Sequence, residues 1–270
     1  MHTAALQPRR DMTQPDLPQA RRQLIAERLS AGHSVVAADL AAEFKLSEDA
    51  IRRDLRALAA DGLCRRVYGG AVPLQDSDRP LAARLREAPG RKSALAQAGA
   101  ATVRPGELVF IDTGSTNLAL IEFLPEDAEL TIATNAVDVA AAVLRRQDLR
   151  LLMLGGEVDR HLGGCVDAAA VDALSRMRID RCFIGVCSLS VADGVMTMQF
   201  SEAAFKRTLV RNSREVVALL TSDKARAAAP HHIADFAMLK TAVIEQDLDA
   251  GVVRGLREAG VDVIAVETAA

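Results

Sequence analysis

The sequence predicts an α/β protein built from two domains of different architecture. Between Ser34 and Val72, a short helix, a three-residue break, an arginine-bearing helix and a Gly-Gly hairpin follow one another. From Leu108 onward, short apolar strands alternate with helices, which is typical of a mainly parallel sheet with helices on its faces. The polar, proline-flanked segment 73–80 separates the two patterns. We therefore expect a disordered tail at 1–19, a small domain at 20–75 and a larger domain at 76–270.

The helices of the small domain are predicted from apolar spacing and capping residues. A first helix is expected near 20–31, and a second is indicated by four apolar residues at helical spacing: Val36, Leu40, Ala41 and Phe44. Ser47 is a good N-cap for the third helix, because its hydroxyl can accept a hydrogen bond from a first-turn amide, and Gly62 is typical of the position after a C-terminus. The inward stripe of this helix is Ile51, Leu55 and Leu58. The opposite arc carries Arg52, Arg53 and Arg56.

The hairpin at 63–72 adds positive charge beside that helix, and its Gly-Gly turn permits a close approach to a phosphate. An arginine-bearing helix alone is more often a solvated surface helix, but a helix, a turn, a capped helix and a basic hairpin in this order predict a winged helix-turn-helix. Guanidinium groups pair with phosphates or bind guanine O6 and N7, so double-stranded operator DNA is the expected partner. The residues expected at the DNA are Ser47, Asp49, Arg52, Arg53, Arg56, Arg65, Arg66, Tyr68, Gly69 and Gly70.

Composition argues against several other classes of protein. The formal net charge is −3, yet residues 1–75 carry 11 Lys and Arg against 9 Asp and Glu, which fits local DNA contact better than general polyanion binding. The absence of Trp, with one Tyr and seven Phe, argues against single-strand binding by base stacking. Neither a membrane span nor a secretion signal is evident, so we expect no membrane partner. The expected location is the cytoplasm, with nucleoid association when the protein is bound to DNA.

The larger domain is predicted from short apolar runs and the helical patterns between them. The predicted strands are 108–111, 130–133, 149–154, 182–186, 215–220, 242–244 and 261–266. The predicted helices are 91–103, 117–123, 137–146, 167–176, 202–212 and 256–259. This alternation predicts a Rossmann-like, mainly parallel α/β fold.

Small polar residues follow several of these strands, at the sheet edge where parallel α/β domains bind ligands. The turn DTGSTN at 112–117 combines a glycine, hydroxyls and helix-start amides, which suit a phosphate. Taken alone, the DTGST turn is about as often a plain N-cap, Gly-Gly after a strand is usually only a turn, and a lone lysine is usually solvated. Their repeated position at strand ends nevertheless favours an anion site. The residues expected to bind an effector are Asp112, Gly114, Ser115, Thr116, Thr134, Asn135, Gly155, Gly156, Lys206 and Lys224.

Two further groups of residues have a plainer interpretation. His231, His232 and Asp235 could suggest a metal, but adjacent side chains on one element point in different directions, so a surface loop is expected. The four cysteines contain no C-x-x-C pair and are expected to be buried, reduced thiols. We expect no metal and no cofactor.

The motifs also carry a family resemblance. RRQLIAERL at 21–29, S-x-x-x-I-R-R-D-L at 47–55 and LCRRVYGGA at 63–71 resemble the DNA-binding domain of DeoR-family transcriptional regulators. The larger domain is similar to the effector domain of that family through Arg84 with Lys92, FIDTGST at 110–116, TN at 134–135, LGGE at 154–157, EAAFKR at 202–207 and SDK at 222–224. That effector domain resembles sugar-phosphate isomerases such as ribose-5-phosphate isomerase and senses phosphorylated sugars or related metabolites. The resemblance covers about residues 20–245 and implies a phosphorylated sugar or polyol as the effector.

Two functions from different classes follow. The first is a repressor of a carbohydrate catabolic operon that its effector releases from DNA, although the sequence leaves open whether the ligand induces or corepresses. The second is a sugar-phosphate isomerase-like enzyme with a fused DNA-binding head, for which Asp112 and Glu202 are the candidate bases. A pure isomerase has no use for such a head, so the repressor is favoured and no catalytic residue is expected. Because one recognition helix buries little surface, we also expect a homodimer or higher homo-oligomer held mainly by the larger domain.

Overall fold

The computed structural model describes residues 18–30, 33–73, 81–85, 87–225 and 228–267. The chain divides into two compact units, Met1–Leu74 and Gln75–Ala270. The expected tail lies outside the described residues except for Pro18 and Gln19, which begin the first helix. Most of the expected boundary segment 73–80 also lies outside them.

The first unit combines three helices with a three-stranded antiparallel sheet, so the predicted winged helix-turn-helix is confirmed. The central strand of the sheet is the one that follows the Gly-Gly turn. The elements are α1 (Pro18–Ser30), β1 (Val35–Val36), α2 (Ala37–Phe44), α3 (Glu48–Ala60), β2 (Cys64–Val67) and β3 (Gly70–Pro73).

The third helix begins and packs as its sequence predicts. Ser47 Oγ accepts a hydrogen bond from the Ala50 amide at 3.3 Å. The inward stripe is buried in one cluster with residues of α1 and α2: Ile51, Leu55 and Leu58. Val36 does not lie on α2 as expected. It pairs with Gly70 in the sheet and is half exposed, because β1 continues to this residue before the helix begins.

The second unit alternates strands and helices along almost its whole length. Its helices are α4 (Leu81–Arg84), α5 (Pro89–Ala100), α6 (Ser115–Ala119), α7 (Val137–Val143), α8 (Ala168–Ser175), α9 (Phe200–Arg211) and α10 (Ala250–Glu258). Its strands are β4 (Leu108–Ile111), β5 (Thr131–Thr134), β6 (Arg150–Met153), β7 (Val158–Asp159), β8 (Gly164–Cys165), β9 (Ile179–Ile184), β10 (Ser188–Ser190), β11 (Gly194–Thr197), β12 (Ser213–Leu220), β13 (His231–Ala234), β14 (Thr241–Glu245) and β15 (Asp262–Val266).

Seven of these strands form one parallel sheet in the order β15-β14-β12-β9-β4-β5-β6, which confirms the predicted α/β class. Neighbouring residues of β4 face opposite sides of the sheet. Phe110 packs in the cluster that contains Phe205 of α9, whereas Ile111 packs in the cluster that contains Leu95 of α5. The sheet is therefore the middle layer of three, with apolar side chains on both faces.

Several local features of the second unit differ from the sequence-based expectations. A small antiparallel sheet, β10-β11-β13, was not expected, and it contains His231 and His232, which were assigned to a surface loop. This segment forms a strand because it pairs with β11 and because the next two residues of the same strand, Ile233 and Ala234, are buried. The last helix begins at Ala250, earlier than expected, because Asp249 caps its first amides.

The cysteines follow the expectation at three of four positions. Cys64, Cys165 and Cys182 are buried free thiols, and burial raises the pKa of Cys182 to about 12. Cys187 is only partly buried, contrary to the expectation, because it lies just beyond the end of β9 where the sheet opens to a cavity.

Candidate functional site

The first candidate site has two parts, the outer surface of α3 and the β2-β3 hairpin. The hairpin is called the wing below. Arg52, Arg53 and Arg56 are exposed on the side of α3 opposite its buried stripe. On the wing, Arg65 and Arg66 are exposed as well. Five guanidinium groups on one small unit form a positively charged surface of the kind that contacts DNA phosphates and base edges.

The three helix arginines have different local partners. Arg52 Nη2 lies 2.6 Å from Glu48 Oε2, and its Nη1 lies 3.6 Å from Asp49 Oδ1. Arg56 Nε donates to the Arg52 carbonyl at 3.2 Å. The Arg53 guanidinium has no hydrogen bond or ion pair with any residue that the structure describes. Arg53 is therefore the arginine of this face that can contact a ligand without first breaking an internal contact.

The tip of the wing carries an aromatic side chain on a glycine turn. Tyr68 is fully exposed, and Gly69 adopts a positive φ of 81°. Gly70 has a structural role, because a Cβ atom at this position would lie 2.0 Å from the Val35 carbonyl oxygen of β1. The predicted DNA residues thus divide into exposed side chains and turn-forming glycines.

A buried ion pair fixes α1 against α3, and the sequence analysis did not identify it. Arg21 Nε donates to Asp54 Oδ2 at 2.6 Å, and both side chains are about nine-tenths buried. Asp54 lies directly after Arg53 and faces inward between Ile51 and Leu55. The sequence did contain a signal for this pair. Asp54 falls on the apolar face of the helix, and a buried aspartate needs a cationic partner.

The second candidate site is a cavity at the carboxyl ends of β4, β9 and β12, here called the strand-end cavity. Its volume is about 90 Å³, and it opens to solvent. Five of the predicted effector residues line it: Gly114, Ser115, Thr116, Lys206 and Lys224. Its other polar or charged lining residues include Arg84, Glu87, Arg91, Lys92, Thr113, Cys187, Glu202, Thr221 and Asp223. The position agrees with the general rule for ligand sites in parallel α/β sheets.

Lys206 forms the floor of the strand-end cavity and is held by three acceptors. Its Nζ lies 2.5 Å from the Gly185 carbonyl, 2.7 Å from Glu202 Oε1 and 3.3 Å from Asp112 Oδ2. Burial alone would lower the pKa of Lys206, but the facing carboxylates outweigh burial and raise it above the ordinary lysine value. The Lys206 ammonium donates to the Gly185 carbonyl and forms ion pairs with both carboxylates, so the protein itself already neutralises its charge.

Asp112 lies beneath the cavity instead of lining it. Its carboxylate accepts hydrogen bonds from the Gly185 amide at 2.9 Å and from the Thr113 amide at 2.7 Å. Together with the Lys206 ammonium, these donors satisfy a side chain that is completely buried. Asp112 therefore fixes the turn after β4 against the turn after β9.

Four other predicted effector residues also lie outside the lining of the strand-end cavity. Thr134 Oγ1 donates to the Ile111 carbonyl at 2.6 Å, and Asn135 Nδ2 donates to the Cys165 carbonyl at 3.0 Å; both residues are fully buried. Gly155 and Gly156 follow β6 at the edge of the sheet, and Gly156 packs against Asp167. These four residues shape the loops around β5 and β6.

Several lining residues were not among the expected effector residues. Arg91 Nε donates to Glu245 Oε1 at 2.5 Å, and Glu245 also accepts from the Ser222 amide at 2.8 Å. These contacts join the start of α5 to the turn that carries Lys224. The Lys224 ammonium lies 3.0 Å from Asp223 Oδ2. Nothing in the local sequence around Arg91 signals its position.

The described part of the chain contains no group of three or more His, Cys, Asp or Glu side chains placed to hold a metal ion. His232 Nε2 instead lies 3.1 Å from Asp235 Oδ1 at the surface. Among the same residues, no helix has both the length and the apolar character needed to cross a membrane.

An arginine-bearing winged helix-turn-helix and a separate α/β unit with a charged cavity define a DNA-binding regulator with a ligand-sensing domain. The model for the DeoR-like helix-turn-helix domain matches residues 21–76, and the model for the DeoR C terminal sensor domain matches residues 87–246. The chain therefore belongs to the DeoR family of transcriptional regulators.

Curated relatives agree with this membership. A candidate aga operon transcriptional repressor of Escherichia coli O157:H7 is 30% identical over 91% of this chain and 93% of its own length. The glycerol-3-phosphate regulon repressor of Escherichia coli K12 is 30% identical over 69% of this chain and 74% of its own. The transcriptional regulator GlpR of Haloferax volcanii is 28% identical over 92% of this chain and 98% of its own length. These relatives are regulators, so the isomerase alternative is not supported and the chain is a transcriptional regulator.

Solved structures resemble the chain only in outline. The sorbitol operon regulator SorC of Klebsiella pneumoniae aligns with a TM-score of 0.35 and 11% identity over 78% of this chain and 91% of that one. Ribose 5-phosphate isomerase A of Methanocaldococcus jannaschii aligns with a TM-score of 0.37 and 16% identity, over 50% of this chain and 53% of that one. At these scores neither likeness bears on function.

Proposed function

We propose that this regulator represses an operon for carbohydrate use and leaves its operator when a phosphorylated sugar or polyol binds in the strand-end cavity. The observation that carries the proposal is the composition of that cavity. Cationic side chains from three helices and one strand-end turn meet hydroxyl groups at the carboxyl ends of parallel strands, inside a domain of a sensor family. Two relatives are named as repressors of the aga operon and of the glycerol-3-phosphate regulon, which supports an effector of this class.

The cavity has the charges that such a ligand requires. The described lining residues include five cationic side chains, those of Arg84, Arg91, Lys92, Lys206 and Lys224, against the acidic side chains of Glu87, Glu202 and Asp223. Because Lys206 is already paired with two buried carboxylates, Lys224 is the better partner for a phosphate dianion. The Ser115 and Thr116 hydroxyls and the amides at the start of α6 offer further donors. Glu202 and the other carboxylates can accept hydrogen bonds from sugar hydroxyls.

On the DNA side, we propose that Arg53 reads base edges while Arg65 and Arg66 contact the flanking backbone, with Tyr68 beside them. Such heads usually act in pairs on half-sites, because one helix buries too little surface for a specific complex. We therefore propose a homodimer or higher homo-oligomer that binds operator DNA in the cytoplasm.

Two measurements on the purified full chain test this function. Selection from a random-sequence DNA pool identifies the operator, and its affinity is then measured at several salt concentrations. A thermal-shift screen of sugar phosphates and polyol phosphates identifies the effector, since a ligand at 100 times its Kd adds ~2.7 kcal/mol of stability. Failure to enrich any DNA sequence would contradict the regulator, whereas stabilisation by unphosphorylated sugars alone would contradict the phosphate site.

A further inference from the structure

Four arginine side chains surround a groove at the amino ends of β9 and β12, here called the strand-start groove. Its volume is about 700 Å³, within the range that is usual for small-molecule sites. The arginines come from the C-terminal ends of α8 and α9 and from the starts of the two strands: Arg176, Arg211, Arg178 and Arg214. The strand-end cavity lies at the opposite, carboxyl edge of the same sheet, so the groove is a separate site.

The positive charge of the strand-start groove is only partly compensated. Asp180 is the single carboxylate among the described lining residues. Its Oδ2 accepts a backbone amide of β4 at 2.9 Å, and its Oδ1 lies 3.8 Å from Arg214 Nη1. Arg176 pairs with an aspartate one helical turn earlier. The exposed side chains of Arg178 and Arg211 have neither an ion pair nor a hydrogen bond within the described ranges of the chain.

Other acceptors at this edge of the sheet are bound inside the protein. Glu107 and Glu215 both pair with the buried Arg181, at 3.0 Å and 2.7 Å. The C-terminal carbonyls of a helix repel an anion, but the Leu174 carbonyl of α8 accepts a hydrogen bond from Asn212 Nδ2 at 2.9 Å. The guanidinium groups are therefore the dominant charges of the groove.

We propose that the strand-start groove binds a compact anion with two or more phosphate groups, such as an oligophosphate. A guanidinium group can pair with two phosphate oxygens at once, and arginines around one groove can each hold a different phosphate group. The described lining offers no aromatic ring for stacking a base and no large exposed apolar side chain of the kind that anchors a protein partner. This inference goes beyond the effector of the strand-end cavity and does not depend on it.

The charge of the surrounding domain favours a compact anion over a long one such as duplex DNA. Residues 76–270 carry 22 Lys and Arg against 27 Asp and Glu, so the arginines of the groove are concentrated on an acidic domain. A long polyanion would meet repulsion beyond the groove, whereas a compact one remains among the guanidinium groups.

Calorimetric titration of the full-length protein with inorganic tripolyphosphate tests the inference, with pyrophosphate and orthophosphate as shorter probes. Affinity should fall from tripolyphosphate to orthophosphate, because a shorter anion engages fewer arginines. Arg178→Ala and Arg211→Ala should each weaken tripolyphosphate binding about ten-fold. Arg254→Ala and Arg257→Ala remove exposed arginines of α10, so they are matched controls and should bind as wild type does. The arginines of the DNA-binding unit are present in every variant, so their contribution cancels.

Chemical protection of the wild-type protein tests the same groove without any substitution. Phenylglyoxal modifies arginine side chains, and mass spectrometry locates the modified residues. Tripolyphosphate should protect Arg178 and Arg211, whereas Arg254 and Arg257 should stay reactive.

Full reactivity of Arg178 and Arg211 in the presence of tripolyphosphate, or equal losses of affinity in the groove and α10 variants, would overturn the site. Equal affinity for orthophosphate would contradict a ligand with several phosphate groups. A salt slope of DNA binding that falls by about one in Arg178→Ala would assign the groove to the DNA backbone instead. Lys224→Ala should bind tripolyphosphate as wild type does, so a failure of the effector site would not be confused with a failure of this groove.

Discussion

The Lys206 ammonium lies 2.7 Å from the Glu202 carboxylate, one helical turn earlier in α9, and both side chains are almost completely buried. The same ammonium reaches the turn after β9 through the Gly185 carbonyl and the turn after β4 through Asp112. Three segments of the cavity floor are thus joined at one nitrogen. A lysine that looks like a phosphate ligand in the sequence is instead the centre of an internal charge cluster.

Replacing Lys206 with methionine should therefore destabilise the second unit before it affects any ligand. Removing one partner from a buried ion pair leaves an uncompensated charge and typically costs ~3–5 kcal/mol. Adding Glu202→Gln should recover part of this loss, because it removes one of the unpaired carboxylates. Urea unfolding of wild type, both single variants and the double variant measures the coupling. Purely additive losses would show that the pair is not coupled.

The same pair predicts a pH dependence with a definite sign. Folding raises the pKa of Lys206, so the ammonium stabilises the native state fully below the ordinary lysine value and loses this effect as pH rises through the raised pKa. The stability gap between wild type and Lys206→Met should therefore shrink at alkaline pH, as the ammonium of the wild type loses its proton. A gap that stays unchanged at strongly alkaline pH would assign the effect to a different group.

The Arg21–Asp54 pair should control the stability of the DNA-binding unit. Asp54→Ala should destabilise this unit, because it leaves a nearly buried guanidinium without its carboxylate. The double variant Arg21→Met with Asp54→Leu should recover much of the loss by replacing the pair with apolar side chains. Unfolding monitored by hydrogen exchange in α1 and α3 separates this unit from the rest of the chain. Equal protection in wild type and Asp54→Ala would contradict the role of the pair.

Arg53→Ala should weaken operator binding and relax specificity at one base pair. A base-reading arginine is worth ~1–3 kcal/mol, whereas loss of a phosphate contact such as Arg65 should reduce the salt slope of binding by about one. Arg176→Ala is the matched control, since Arg176 is also exposed but belongs to α8's C-terminal end and pairs with Asp172 at 2.9 Å. Binding by Arg53→Ala that equals wild type on every sequence would contradict the recognition-helix assignment.

Lys224→Ala should weaken effector binding about ten-fold or more, because a hydrogen bond to a charged group contributes ~1.5–3 kcal/mol. Isothermal titration with the best phosphate from the screen measures the change. Lys240→Ala is the control, since Lys240 is exposed and pairs with Asp262 at 2.8 Å, and neither residue lines the cavity. Equal losses in the two variants would point to a general charge effect instead of a cavity contact.

The elements were predictable from the sequence where local patterns decide them. Ser47 caps α3 through a local hydrogen bond, and the apolar runs of the parallel strands are buried on both sides of the sheet. The strand that contains His231 was not predictable in the same way. It depends on pairing with β11, which is distant in sequence, and on burial of the residues that follow it.

The candidate site shows the same division. The position of Ser115 and Thr116 at a strand end follows from the local sequence, so their place in the cavity lining could be anticipated. The ion pairing of Lys206 inside the protein could not be anticipated, because it depends on Asp112, which is far away along the chain. Arg91 of α5 lines the cavity while it donates a hydrogen bond to Glu245 of β14, which is distant in the sequence. Contacts between distant segments, not residue types, decide which polar groups a ligand can reach.

The most direct test of the account is an operator titration of wild type and Lys224→Ala, each with and without the effector found by thermal shift. The predicted result is that both proteins bind operator equally without ligand, because the substitution lies in the second unit. Ligand should then release wild type at a concentration about ten-fold or more below that needed for Lys224→Ala. If the ligand binds wild type but leaves its operator affinity unchanged, the central claim is wrong, since a sensor requires different ligand affinities in its DNA-competent and DNA-incompetent states.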